Sequence, residues 1–158
     1  MFLVKKGTIV LELGDQEADL MRHTINDYVE LLDSRTPLDP VNRRLFPAAS
    51  GEDEDVAREF RALTFSDLDA HKRSTAALAI QSLGAHRGCR VKLNPEQNEA
   101  WLVLLTDIRL AIGTRLGVTE EMLEREVDPN EDWNLALLHY LGALQEALVN
   151  ASEAIARW

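Results

Sequence analysis

The pattern of hydrophobic and polar positions changes its period near the start of the chain. Residues 8–13 alternate, and with residues 2–4 ahead of the turn at residues 5–7 they predict a small β-hairpin. Over residues 15–34 the apolar positions recur every three or four residues, which predicts an amphipathic helix with Asp15 as its N-cap. The chain therefore opens with a strand pair followed by a helix.

Prolines and glycines interrupt the next part of the chain. Residues 37–47 contain three prolines and predict a connector. The acidic run at residues 51–55 suits the first turn of a short helix continuing through Leu63, because acids there complement the helix dipole. A separate alanine- and leucine-rich helix is predicted over residues 66–86, and residues 88–93 are predicted to be a loop or a short extended piece.

Two apolar helices dominate the second half. Pro95 opens a helix that is apolar on nearly every side over residues 101–112, which is typical of the centre of a bundle. A short acidic helix after Thr119 and a break at residues 128–129 come next. The last helix keeps its apolar spacing over residues 137–158, which we interpret as a core face, with a homodimer seam as the alternative.

These elements predict a mainly α fold. It is a single-domain bundle of about five helices over residues 1–158, with a β-hairpin appendage at residues 1–14. The 158 residues are 46% hydrophobic and 28% charged, a globular composition that excludes wholesale disorder. The start of the chain becomes charged too soon for a secretory signal, and no apolar run of about 18 residues appears. We therefore expect a cytoplasmic protein with no membrane contact.

The charge is acidic and unevenly distributed. The formal net charge is −10, which makes direct nucleic-acid binding unexpected, since phosphate affinity comes mainly from clustered lysines and arginines. Residues 120–132, called the acidic segment below, contain seven acids and one base, Arg125. The segment is a candidate partner-binding surface, and a merely solvated connector is the alternative. The candidate residues are Glu120, Glu121, Glu124, Asp128, Glu131 and Asp132.

The motifs of common catalytic sites are missing from the sequence. The four histidines lie on separate segments without metal-binding spacing, and Asp67 with His71 supplies only two ligands on one helix. The glycines at residues 84–88 lack a phosphate-loop ending, and no serine nucleophile elbow occurs. We therefore expect a protein that is not an enzyme and needs no cofactor or metal.

Cys89 is a candidate redox residue because Arg87, Arg90 and Lys92 lie close by and cations favour the thiolate. An incidental intracellular cysteine is the alternative. As the only cysteine, it rules out an internal disulfide and any multi-cysteine zinc site.

Charged residues interrupt the central apolar helix. Asp107 and Arg109 are two positions apart and project in different directions, so each is expected to meet a partner on another helix. Arg115 lies near the helix end, where a cation suits the dipole. These three residues define either an ion-pair core or a binding groove.

Two parts of the chain carry family-like signatures. They are Asp39-Pro40-x-x-Arg43-Arg44-Leu45-Phe46-Pro47-x-Ala49 with Glu59-Phe60-Arg61-x-Leu63-Thr64, and Trp101-Leu102-x-x-Leu105-x-Asp107-x-Arg109-Leu110-x-x-Gly113-Thr114-Arg115-Leu116-Gly117. They resemble a bacterial, actinobacterial-type domain-of-unknown-function family that is typically encoded beside the adaptor of the Clp protease. Its members are often labelled transcriptional regulators, in some cases oxidation-sensing ones. Thr106 departs from the family pattern, which usually has Asn there.

The resemblance implies a non-enzymatic regulatory protein and fixes no catalytic residues. Oxidation sensing through an intrachain disulfide does not transfer, because Cys89 has no second cysteine. We therefore expect a regulator that acts through protein–protein contacts, in transcription. An adaptor or accessory factor of Clp proteolysis and a direct DNA-binding regulator are the alternatives, the latter motivated by the basic cluster of residues 86–92.

Overall fold

The computed structural model describes residues 1–34, 39–46, 54–85 and 87–157, with the side chains of residues 54–62 excepted. The described part contains three strands and six helices, which confirms the mainly α fold. The strands are β1 (Phe2–Lys5), β2 (Thr8–Leu13) and β3 (Cys89–Lys92). The helices are α1 (Asp15–Ser34), α2 (Pro40–Leu45), α3 (Glu54–Leu83), α4 (Pro95–Leu116), α5 (Glu120–Glu124) and α6 (Trp133–Ala156).

The predicted hairpin is present and carries an additional strand. β1 pairs antiparallel with β2 across the turn at Lys6 and Gly7, whose φ angles are 50° and 74°. β3 pairs antiparallel with the other edge of β2, so the sheet order is β1-β2-β3. The segment predicted as a loop or short extended piece is a strand because β2 supplies its backbone hydrogen-bond partners, and the local sequence does not reveal that pairing.

The predicted proline-marked connector is wrong at residues 40–45, where α2 forms. The Asp39 side chain accepts a hydrogen bond from the Val41 N–H at 2.9 Å, and Pro40 occupies the first turn. Both features favour the start of a helix. The Asp39 side chain accepts a hydrogen bond from a backbone N–H that has no partner within the helix, and proline has no backbone N–H that needs one. Asp15 is the first residue of α1 rather than its N-cap, while the predicted bounds of α1 are confirmed.

α3 is one continuous helix, so the two predicted helices with a break before Ser66 are wrong. Neither glycine nor proline occurs between Glu54 and Leu83, and nothing in that stretch is strong enough to end a helix. The helix ends at Leu83, three residues before the predicted end, because Gly84 follows it with a left-handed φ of 69°.

α4 lies at the centre of the bundle, as its apolar pattern predicts. Asn94 and Gln97 form a capping box at its start, and Gly117 ends it in the left-handed conformation with a φ of 61°. The helix packs against α2, α3 and α6. Trp101 is fully buried, and its indole N–H donates to Ser82 Oγ at 2.8 Å.

α6 packs its predicted apolar stripe into the core, with Leu141, Leu144, Leu148 and Ala151 buried. The sheet belongs to the same core, because α6 packs against β1 and the Phe2 ring meets the Trp101 ring edge-on at 5.7 Å. One hydrophobic cluster joins sheet and helices. Among the described helices, none has both the length and the apolarity needed to cross a bilayer.

Some predictions fall outside the described residues. They concern Pro37, Pro47, Glu52 and Asp53 of the acidic run, His86 and Trp158.

Candidate functional site

Asp107 links three helices inside the core. It is buried on α4, and its Oδ2 accepts a hydrogen bond from Lys72 Nζ on α3 at 2.8 Å. The Tyr28 hydroxyl on α1 donates to the same oxygen at 3.3 Å. The expected partner on another helix is therefore present. Lys72 also lies over the Phe46 ring, 5.6 Å from its centroid.

Arg109 points from α4 towards α6, away from Asp107. Its Nη1 donates to Gln145 Oε1 at 2.6 Å. Gln145 Nε2 in turn donates to Thr106 Oγ1 at 2.7 Å. The Gln145 amide that binds the guanidinium is therefore fixed by a second hydrogen bond. Arg109 thus meets a partner on another helix, as expected, but that partner is a neutral amide.

Gly142 leaves room for the guanidinium. A Cβ at this position of α6 would lie 3.3 Å from Arg109 Nη2, which is tighter than most real contacts. A glycine within a leucine-rich helix therefore has a packing reason here.

A groove opens beside Arg109 between α4, α5 and α6. A cavity of about 570 Å³ lies next to a second one of about 540 Å³, and Arg109, Leu123, Leu138 and Gln145 line both. We call these two cavities the Arg109 groove. Leu123 is 43% exposed and Val149 is 37% exposed, so its rim presents apolar side chains to solvent. Exposed apolar surface around a groove is typical of an interaction site.

Two polar atoms at the Arg109 groove are buried without a hydrogen-bond partner in the described structure: Arg109 Nε and His139 Nε2. An unmade hydrogen bond at a buried group costs about 1–3 kcal/mol, so such atoms are uncommon.

Arg115 lies in the last turn of α4 and lines a different cavity from Arg109. It forms an ion pair with Asp39 at 3.8 Å, and its place in the last turn suits the helix dipole as predicted. It also lines a cleft of about 410 Å³ between α1, α4 and α6, whose rim includes Trp133, 54% exposed. Asp107, Arg109 and Arg115 therefore do not converge on one site.

The six candidate acids of the acidic segment divide into two groups. Asp128 and Asp132 stabilise local structure: Asp128 accepts from the Asn130 N–H at 2.9 Å, and Asp132 caps α6 by accepting from the Leu135 N–H at 3.1 Å. The other four are exposed and make no side-chain hydrogen bond or ion pair within the described chain. These four are Glu120, Glu121, Glu124 and Glu131.

Cys89 lies in the core rather than at a reactive surface. Its side chain is buried, and its Sγ lies 3.8 Å from the Ser82 carbonyl oxygen. Burial raises the pKa of the Cys89 thiol, and the opposing effect of Arg22 is smaller. The predicted stabilisation of the thiolate by nearby cations is therefore outweighed by desolvation.

One cation of the basic cluster near Cys89 is paired with an acid, since Arg90 Nε lies 3.1 Å from Glu12 Oε1. Arg22 is a further cation beside the cluster, where its Nη1 donates to the Arg87 backbone carbonyl at 3.3 Å. Among the described side chains, no three of the His, Cys, Asp or Glu type come together in a group that could hold a metal ion.

Comparison with known families finds a match that covers nearly the whole chain. The family described as Domain of unknown function (DUF2017) matches residues 1–152. The chain belongs to the DUF2017 family. No curated protein and no solved structure matches it. The DUF2017 match therefore establishes membership of an uncharacterised family, and the functional argument depends on the residues of the site.

Sequence reasoning singled out Arg109 and gave a binding groove as one alternative, but it did not identify the residues of α6 that form the groove. From α6 the groove is contacted or lined by Gln145, Gly142 and His139, whose apolar neighbours favoured a core face or a homodimer seam for that helix. Gly142, the single glycine inside α6, was the one feature of the sequence that could have indicated a close contact on this face.

Proposed function

We propose that this DUF2017 protein is a non-enzymatic regulatory protein of the cytoplasm that acts by binding another protein, in the control of transcription. Its docking surface is the acidic segment together with the Arg109 groove. The observation that carries the proposal is Leu123, an exposed apolar side chain that lies within the acidic segment and lines the groove. Exposed apolar surface supports a protein partner, and surrounding charge selects it.

The charge of the surface defines the partner's chemistry. Glu120, Glu121 and Glu124 are exposed around Leu123 without ion-pair partners of their own in the described chain. A complementary partner presents basic residues to this segment and apolar residues to the groove. Such contacts between opposite charges speed association and weaken as salt screens them.

Affinity capture with charge reversal tests the proposal. The Glu120→Lys, Glu121→Lys double variant should recover less of the partner that the unaltered protein captures from bacterial lysate. The control is Glu30→Lys with Glu99→Lys, which makes the same charge change at exposed positions on α1 and α4. Equal recovery by both double variants would contradict the role of the acidic segment.

The identity of the captured protein separates the alternatives. A component of the transcription machinery supports the proposed process, whereas a Clp component would favour an adaptor or accessory factor of proteolysis. A direct DNA-binding regulator is disfavoured by the Arg90–Glu12 ion pair, which reduces the basic cluster. We expect no shift of duplex DNA at physiological salt, and a specific shift would overturn this ranking.

A further inference from the structure

Arg109 is a positioned cation that lacks an anionic partner. Its Nη1 is bound to Gln145, which is fixed in turn by Thr106. In the described chain, no carboxylate lies within ion-pair distance of its guanidinium, unlike Arg73 and Arg115, which meet aspartates. The guanidinium is therefore oriented while its charge remains uncompensated.

The unused edge of this guanidinium has the geometry of a carboxylate receptor. Nε has no hydrogen-bond partner and is shielded from water, and Nη2 likewise has none within the described chain. The parallel N–H groups of that edge match the two oxygens of a carboxylate. Gly142 keeps side-chain atoms of α6 away from Nη2, and a Cβ there would crowd it.

The groove beside this guanidinium is open and has a mixed lining of apolar and polar side chains, and the exposed Glu146 in that lining lies beyond ion-pair distance of Arg109. Leu123 and Val149 are exposed at the rim, and Leu138 is buried beneath it. His139 Nε2 is a second buried polar atom without a partner in the same cavity. A ligand that fits presents a carboxylate within an apolar segment. The open, two-part groove suits a segment of a protein better than a small organic acid, which requires an enclosing pocket.

We propose that the Arg109 groove binds an apolar segment of a protein partner through one aspartate or glutamate side chain, whose carboxylate pairs with the Nε–Nη2 edge of Arg109. This inference rests on the proposed function and adds the chemistry that the partner presents at its centre. Basic residues of the partner face the acidic segment at the rim, and the acidic residue enters the groove. A guanidinium–carboxylate pair in such a partly desolvated place is strong and selective.

A pair of peptide probes tests the proposal. One is a short helix of leucine, alanine and lysine with a single central glutamate, and the other has glutamine in its place. The glutamate peptide should bind the full-length protein about tenfold more tightly or better, which is the range expected for a hydrogen bond to a charged group. It should also shift the Arg109 Nε–H signal in nitrogen–proton NMR spectra, whereas the glutamine peptide should not.

Variants of the groove test whether Arg109 causes the preference for the glutamate peptide. Arg109→Lys keeps a cation but loses the two parallel N–H donors of the guanidinium, and it should abolish that preference. Gly142→Ala crowds Nη2 and should reduce the preference even if Arg109→Lys fails to fold. Leu123→Ser should weaken both peptides and leave their ratio unchanged.

Different results would contradict the carboxylate inference and the proposed docking function. Equal binding of both peptides that still depends on Leu123 would overturn the carboxylate inference and leave protein docking supported. Binding of neither peptide would also overturn the inference, while the charge-reversal capture would decide the proposed function separately. Tighter binding of the glutamate peptide without a change at the Arg109 Nε–H signal would overturn the assignment to Arg109.

Discussion

Lys72 Nζ lies 2.8 Å from Asp107 Oδ2, and both side chains are almost completely buried. The pair joins α3 to the central α4, and the Tyr28 hydroxyl ties α1 to the same carboxylate. Burial removes water from both charges, so their attraction has to offset a large desolvation cost. The pair is therefore better understood as a device that fixes how three helices meet than as a large net source of stability.

Removing one partner of this pair should be strongly destabilising. Lys72→Met leaves the Asp107 carboxylate buried with the Tyr28 hydroxyl as its one remaining donor among the described residues. We expect a loss of about 3–5 kcal/mol in the free energy of unfolding, because an uncompensated buried charge remains. Urea unfolding followed by circular dichroism measures it.

Arg73→Met is the matched control on the neighbouring position. Arg73 pairs with Asp69 at 2.9 Å and with Asp33 at 2.5 Å, and partly exposed ion pairs of this kind are worth about 1 kcal/mol or less each. The double variant Lys72→Met, Asp107→Leu should recover much of the loss because no lone charge remains. A Lys72→Met protein no less stable than Arg73→Met would show that Asp107 is already hydrated or otherwise compensated.

Two glycines at the end of α4, Gly113 inside the helix and Gly117 just after it, should respond oppositely to alanine. Gly117 has a φ of 61°, a conformation that costs other residues about 1–2 kcal/mol, so Gly117→Ala should destabilise the protein. Gly113 lies inside the helix with open space at its Cβ, so Gly113→Ala should stabilise it by up to about 1 kcal/mol. Thermal unfolding of both variants tests this difference. Stabilisation by both substitutions would contradict the left-handed conformation of Gly117, whereas destabilisation by both would contradict the open space at Gly113.

Stability should fall in alkaline solution. The Tyr140 hydroxyl donates to Glu17 Oε2 at 2.7 Å, and burial together with this carboxylate raises the tyrosine pKa above its ordinary value of 10.0. Above that pH the unfolded chain loses the phenol proton while the folded chain keeps it, so the free energy of unfolding decreases as pH rises. Cys89 contributes with the same sign, since burial raises its pKa above 9.0.

Tyr140→Phe removes the phenol group and therefore its contribution to this pH dependence. Its free energy of unfolding should decline less steeply above pH 10.0 than that of the unaltered protein. Urea titrations on both sides of that pH measure the two slopes. Identical slopes would mean that Tyr140 ionises equally easily in the folded and unfolded chains.

The Cys89 thiol should react slowly with thiol reagents in the folded protein. It is 8% exposed, and its raised pKa lowers the thiolate fraction. Labelling with an aromatic disulfide reagent should be fast in urea and slow in buffer. Rapid labelling of the native protein would contradict this burial and would support the prediction that Cys89 is a redox residue.

The sequence predicted what depends on local periodicity. The bounds of α1, the central position of α4 and the buried face of α6 follow from apolar spacing that a helix must satisfy. β3 was predicted only as a loop or a short extended piece because its partner β2 is distant in the chain. The Asp39 cap with Pro40 was outweighed by the proline signals around α2.

The candidate site was predictable only in part. Asp107 and Arg109 stand out because they interrupt an apolar helix, whereas their partners Lys72 and Gln145 look like ordinary surface residues of other helices. Which polar side chain of one helix faces another depends on the packing of helices, and one sequence does not contain that information explicitly.

The docking surface is tested most directly by hydrogen–deuterium exchange of the protein with its purified partner, read by mass spectrometry. Binding should slow exchange in the second half of α4, in α5 and in the half of α6 around Gly142, because these elements form the Arg109 groove and carry the acidic segment. The strands β1 and β3 should exchange as in the free protein. Slowed exchange confined to the sheet or to α1 would contradict the account.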